Sequence, residues 1–104
     1  MREMTDGMQV CVHLYPPLNT AAGQSLIVMD LEKENTIQGL IDQLVARFGP
    51  QMRRYLFDDK DRIIPGWCVF VNQQPPVYFN RPEALSTILA DGDEVSFLLA
   101  LAGG

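Results

Sequence analysis

From residue 37 to residue 48 the apolar side chains Ile37, Leu40, Ile41, Leu44, Val45 and Phe48 fall at i, i+3, i+4, i+7, i+8 and i+11. That spacing draws one continuous stripe along an α-helix and leaves the opposite face polar. Thr36 or Asn35 is placed to cap the first turn with a side-chain oxygen. Gly49 offers a left-handed stop, and Pro50 prevents the helix from continuing through it. Gly39, inside the helix, costs about 1 kcal/mol relative to alanine. The segment from Thr36 to Phe48 would span about 20 Å, enough to cross one face of a small sheet. A helix with one apolar stripe must bury that stripe against something else.

The rest of the chain offers strands. Met8, Val10, Val12 and Leu14 alternate with Gln9, Cys11, His13 and Tyr15, the pattern of a half-buried strand, and Pro16-Pro17 ends it. A loop through Asn19 and Gly23 leads into a second β-rich run, Ser25 to Leu31, so the first two strands read as a hairpin with a long connection. Beyond the helix, Met52, Tyr55, Leu56 and Phe57 suggest a short helical or turn segment before the acidic turn Asp58-Asp59-Lys60-Asp61. Trp67 to Asn72 is strongly apolar and is expected to be a central strand of a sheet. Val77-Tyr78-Phe79 is a short strand expected at an edge, and Glu94 to Leu101 follows the tight turn Asp91-Gly92-Asp93 as the last strand. The order β-β-α-turn-β-β-β is an α+β domain with one main helix packed on a mixed sheet of four or five strands. With 104 residues, one domain is expected.

Charge and composition narrow the function. Eight Lys+Arg against thirteen Asp+Glu leave a net charge of −5, and a nucleic-acid binder normally carries a basic stripe instead. An acidic surface suits a basic protein partner. No apolar run approaches the ~18 residues of a membrane span, and the first residues hold no apolar signal core, so a cytoplasmic protein is expected. Cys11 and Cys68 lie inside strand-like runs, where reduced cysteine serves as a small hydrophobe. His13 is the single histidine, so couples of the Ser–His or Cys–His type have no other base to draw on. The chain holds no phosphate-cradling glycine loop and no zinc-ligand spacing. Asp59-Lys60-Asp61 starts like a calcium loop, but Ile63 stands at the next ligand position. No bound metal or cofactor is expected, and self-sufficient catalysis is not.

The remaining feature is the C-terminus. Leu98-Leu99-Ala100-Leu101-Ala102 stays apolar up to the final Gly103-Gly104, although chain ends are usually polar. The run Asp91-Gly92-Asp93-Glu94-Val95-Ser96-Phe97 followed by that diglycine resembles the MoaD/ThiS family of ubiquitin-like sulfur carriers. The third-strand motif Val69-Phe70-Val71-Asn72 and the Thr36-Ile37 helix start after Met29-Asp30-Leu31 support the resemblance, which covers nearly the whole chain from Met8 onward. Many molybdopterin-type carriers have a proline pair where this chain has Leu99-Ala100.

The resemblance implies a β-grasp fold over residues 1–104, with a flexible tail from about 101 to 104. It also implies a carrier rather than an enzyme, at most the non-catalytic subunit of a sulfurtransferase such as molybdopterin synthase. Gly104 would be adenylated by an E1-like enzyme that uses ATP, and a sulfurtransferase would supply the sulfur of the resulting thiocarboxylate. Glycine suits a tail that must thread a narrow channel, because it has no Cβ. Phe97, Leu101, Ala102 and Gly103 would face the partner, with Phe97 also a candidate for the core. The first acceptor system implied is the large subunit of molybdopterin synthase. Carriers for thiamine, cysteine or another sulfur metabolite, and a ubiquitin-like modifier joined to lysine through Gly104, remain alternatives. By the same resemblance, the first and last strands should be parallel neighbours in mid-sheet.

Overall fold

The computed structural model describes residues 8–31, 35–64, 66–79 and 81–99. Five strands, β1 (Met8–Leu14), β2 (Leu26–Leu31), β3 (Trp67–Val71), β4 (Val77–Tyr78) and β5 (Glu94–Leu99), form one sheet in the order β2-β1-β5-β3-β4. β1 and β5 run parallel, and the remaining neighbours are antiparallel. The helices are α1 (Leu18–Ala22), α2 (Ile37–Phe48) and α3 (Pro50–Leu56), with a 3₁₀ turn at Pro82–Ala84. This is the expected α+β architecture, one main helix on a mixed sheet.

The α2 stripe is buried as its spacing requires. Ile37, Leu40, Ile41 and Leu44 are wholly inaccessible, and Val45 and Phe48 pack against the same cluster from its rim. The Oγ1 of Thr36 accepts the Gly39 N–H at 3.1 Å, satisfying one of the free donors of the first turn. At the other end the Gly49 N–H bonds the Val45 carbonyl. Gly49 has φ +85, a conformation that glycine tolerates best. Facing α2 are Val10, Val12 and Leu14 of β1, Ile27, Met29 and Leu31 of β2, Trp67 and Val69 of β3, and Val95 and Phe97 of β5. The Trp67 indole N–H donates to the Tyr55 carbonyl at 3.0 Å, so the largest core side chain keeps its polar atom paired.

Two local features differ from the expectations. The segment after β1 is not a plain loop: buried Leu18 anchors the single turn α1, which stops at left-handed Gly23 (φ +78). One apolar anchor in five residues leaves no period to read. The strand Trp67–Val71 lies beside the centre, between β5 and β4, because β5 pairs on both sides and takes the middle position. Residues 100 and 101, expected at the end of the last strand, lie outside the described residues.

The acidic turn after α3 is a built turn. Asp58 Oδ1 accepts the backbone N–H groups of Lys60 and Arg62 at 2.9 and 3.0 Å, and an isolated bridge joins Phe57 to Ile63. These donors hold the Asp58 carboxyl below the usual carboxylate range, against a small opposing effect of desolvation.

Two outcomes follow from this packing. Leu44→Ala should lower unfolding free energy by about 2–5 kcal/mol, as chemical denaturation would measure; a loss under about half a kcal/mol would mean the stripe does not face the core. The depressed Asp58 pKa stabilises the turn at pH values above the carboxyl's unfolded pKa. That contribution fades as pH falls through the lower folded value. Amide exchange at Lys60 and Arg62, corrected for its intrinsic pH dependence, should therefore accelerate only at acid pH below the normal carboxylate range.

Candidate functional site

β5 is the element that carries the chain to its terminus, and it is fixed along its whole length. Val12, His13 and Leu14 of β1 stand opposite Val95, Ser96 and Phe97, while β3 from Trp67 to Val71 stands opposite Leu99 back to Val95. Alternation then sends Val95 and Phe97 to the core side, with Leu99 half-buried in the same row. Phe97 is 0% exposed and stacks on Phe79 with ring centroids 6.2 Å apart. Its placement on the partner-facing tail is therefore corrected: it sits between Leu14 and Val69 in register, deep under the helices, and serves the core. Leu101, Ala102, Gly103 and Gly104 lie outside the described residues.

The start of β5 is tied to two other strands. Gly92 takes φ +87 at the turn, and its N–H bonds the Gln9 carbonyl at 2.8 Å. The Gln9 N–H in turn donates to Asp91 Oδ1 at 2.8 Å, and the Cys11 N–H donates to the Asp93 carbonyl at 2.9 Å. On the β3 side, Asn72 adopts the left-handed region at φ 57. Its backbone N–H bonds the Glu94 carbonyl, its Oδ1 accepts the Glu94 N–H at 3.0 Å, and its Nδ2 donates to Asp93 Oδ1 at 2.9 Å. Asp93 Oδ2 also accepts the Ala90 N–H. The two motifs singled out in the sequence, Val69 to Asn72 and Asp91 to Phe97, are thus one hydrogen-bonded unit. It sets the register of the strand that leads to the tail.

Among the described residues the sheet face turned away from α2 is left uncovered. Its rows carry Cys11, His13 and Tyr15 from β1 and the residue after it, Leu26, Val28 and Asp30 from β2, Glu94, Ser96 and Leu98 from β5, Phe70 from β3, and Tyr78 from β4. Leu26 and Val28 are more than half exposed, and Tyr15 and Tyr78 nearly so. Tyr15, Phe70, Asn72, Ser96 and Leu98 line a shallow hollow on it. His13 Nε2 lies 3.5 Å from Glu94 Oε1, and no strand carries a Lys or Arg. The described cations stand on α2, α3 and the loops. Cys68, whose register partners are Leu98 and Tyr78, shares this face with them but is buried, and desolvation pushes its thiol pKa up. Sequence reading had not assigned this face a role. Its signal was the apolar identity of Leu26, Val28, Phe70, Tyr78 and Leu98 at off-core positions of each alternation.

Among the described residues no three His, Cys, Asp or Glu side chains converge to hold a metal ion. No helix among them is long and apolar enough to cross a membrane.

Comparison with known proteins gives the same picture. The ThiS family model matches residues 12–104. Among solved structures, Haloferax volcanii small archaeal modifier protein 1 is 20% identical with a TM-score of 0.73, covering 90% of this chain and 99% of that one. Mycobacterium tuberculosis CysO is 22% identical with a TM-score of 0.66, over 88% of this chain and 99% of that one. A Pyrococcus furiosus protein described as a putative molybdopterin converting factor, subunit 1, is 18% identical with a TM-score of 0.66, over 90% and 99% respectively. These likenesses are of fold. No curated protein sequence matches the chain.

Asp93→Ala removes the acceptor of two bonds at the root of β5 and should cost about 1–2 kcal/mol. Denaturant unfolding measures the loss. Faster exchange confined to the amides of Ala90, Asn72 and Glu94 would locate it, and unchanged exchange there would remove the assigned role.

Proposed function

This chain belongs to the ThiS family of ubiquitin-like proteins, and from that premise we propose that it is a sulfur carrier working through the carboxylate of Gly104. An E1-like enzyme joins that carboxylate to the α-phosphorus of ATP and releases pyrophosphate. The outer sulfur of a persulfide on a sulfurtransferase then displaces AMP to form an acyl disulfide. A thiol attacks the S–S bond, forming a disulfide with the sulfurtransferase's sulfur and releasing a terminal thiocarboxylate. The chain itself is the substrate of these steps and not their catalyst, and ATP belongs to the activating enzyme. The observation that carries the reading is that the family match runs through residue 104 and so includes Gly103-Gly104.

The fold supports the same reading. β5 is anchored at the sheet centre, and only five residues separate its last residue, Leu99, from the chain end. Partner contacts are assigned to Leu101, Ala102 and Gly103. Docking of the activating enzyme is assigned to the uncovered sheet face, where apolar side chains stand beside Asp30 and Glu94 and none of the described strands carries Lys or Arg. Such a face suits an apolar surface rimmed with Arg or Lys, and association should slow as salt rises. The acceptor system proposed first is the large subunit of molybdopterin synthase, in keeping with the likeness to the Pyrococcus furiosus protein. The proposed setting is the cytoplasm.

A second reading, a modifier joined to lysine side chains through Gly104, is favoured by the likeness to small archaeal modifier protein 1. Both readings share the adenylation step, and intact mass separates their products. Exchange of one oxygen for sulfur marks the carrier, whereas covalent adducts on other proteins mark the modifier.

The decisive assay is ATP–pyrophosphate exchange with the cognate E1-like enzyme. Deleting Gly103-Gly104, or extending the chain beyond Gly104, should shift stability by well under 1 kcal/mol. Either change should abolish exchange, since a displacement of about 1 Å at a positioned reacting atom already costs ~100-fold in rate. Normal exchange by either altered chain would refute the carrier and the modifier readings together.

A further inference from the structure

The two edges of the sheet are treated differently. β4 has two residues and follows Pro75-Pro76, so it offers little ladder to a neighbour. β2 has six residues and, among the described residues, no strand on its outer side. The Leu14 N–H bonds the Ser25 carbonyl, which fixes the parity of the hairpin: Ile27, Met29 and Leu31 turn their backbone groups toward β1. Leu26, Val28 and Asp30 therefore point theirs outward. The α2 side chain of Gln43 confirms this by donating to the Asp30 carbonyl at 2.7 Å. That bond caps one end of the edge and leaves the N–H and C=O groups of Leu26 and Val28, and the Asp30 N–H, available to a short strand.

The two flanks of this edge differ in chemistry. On the uncovered sheet face lie the half-exposed side chains of Leu26 and Val28, followed by the Asp30 carboxylate. On the helix side a groove between β2 and α2 is lined by Met29, Asp30, Gln43, Ala46 and Arg47. The Arg47 guanidinium lies 5.2 Å from the Phe48 ring centroid, and among the described residues it pairs with no carboxylate.

We propose that the β2 edge binds an extended segment of a partner protein as a sixth strand, one that alternates two apolar residues over Leu26 and Val28 with an acidic residue toward Arg47. Main-chain bonds to the edge give affinity, and the alternating rows give selectivity. A basic residue on the apolar row would complete the match by facing Asp30. A second copy of this chain fits less well. Antiparallel pairing centred on Val28 would set Leu26 against the second copy's Asp30 and place both Arg47 side chains on one flank. The inference concerns an edge remote in sequence from Gly104 and does not rest on the tail chemistry.

The test is a titration of the full ¹⁵N-labelled chain with a capped peptide of sequence threonine–lysine–glutamate–valine–threonine–valine–threonine, which runs antiparallel to β2. The amide resonances of Leu26, Val28 and Asp30 should shift, and their hydrogen exchange should slow about tenfold or more. Arg47→Glu should weaken binding about tenfold, and replacing the peptide's glutamate by lysine should restore it. Val28→Pro removes an outward N–H that has no partner among the described residues, so the rest of the spectrum should persist while binding disappears. If Val28→Pro does not fold, the charge exchange at Arg47 still decides. No shift at millimolar peptide, shifts at Ser96 and Leu98 without the edge amides, or equal binding by both peptides to both chains would overturn the proposal. So would a dimeric sedimentation mass with these amides already protected in the free chain, which would assign the edge to a second copy.

Discussion

The parallel pairing of β1 with β5 holds this molecule together. It joins the first strand to the last, places both in the middle of the sheet, and presents Val10, Val12, Leu14, Val95 and Phe97 as one surface for α2 to cover. Such a pairing cannot come from a hairpin and needs a crossover carrying a helix, which α2 supplies. It is also the longest-range strand pairing among the described residues, so folding should be slower than for a helical protein of this size. The cluster of bonds around Asn72, Asp93 and Gln9 secures the pairing where β5 begins.

Around that pairing the chain divides its surfaces. One face of the sheet is closed by α2 with little left exposed, while the other, among the described residues, is apolar and carries the carboxylates of Asp30 and Glu94. The described cations stand on α2, α3 and the loops instead. Arg53 lies over the Phe57 ring and pairs with Asp61, and Arg62 lies 3.7 Å from Asp58. Exposed pairs of this kind add little stability. Their effect is on the electrostatic shape of the molecule, which is lopsided in a way its net charge of −5 does not convey.

Much of this was legible in the sequence because two periods carry it. The 3.6-residue stripe from Ile37 to Phe48 and the alternation in Met8 to Leu14 located α2, β1 and their buried faces, and Gly49-Pro50 marked the helix end. What was not legible depends on contacts between distant segments. Nothing local distinguishes Trp67–Val71 as a second-row strand from a central one, since both are apolar throughout. Phe97 reads as either core or tail until its partners Leu14 and Val69 are known. Asn72 looked like the end of a strand, and only its approach to Asp93 and Glu94 gives its amide a purpose. α1 escaped notice because its stability comes from Leu18 in the core, a tertiary effect with no periodic signature.

Trp67 is the single tryptophan of the chain, and its position has a use beyond packing. Its indole is buried, hydrogen-bonded to Tyr55, and set opposite Leu99, the last residue of β5. The molecule therefore contains one native indole fluorophore, seated against the last residue of β5. Emission from that ring answers to the seating of β5 rather than to an average over many sites. Loosening of the central strand can thus be followed optically in the unmodified chain, without attaching a label.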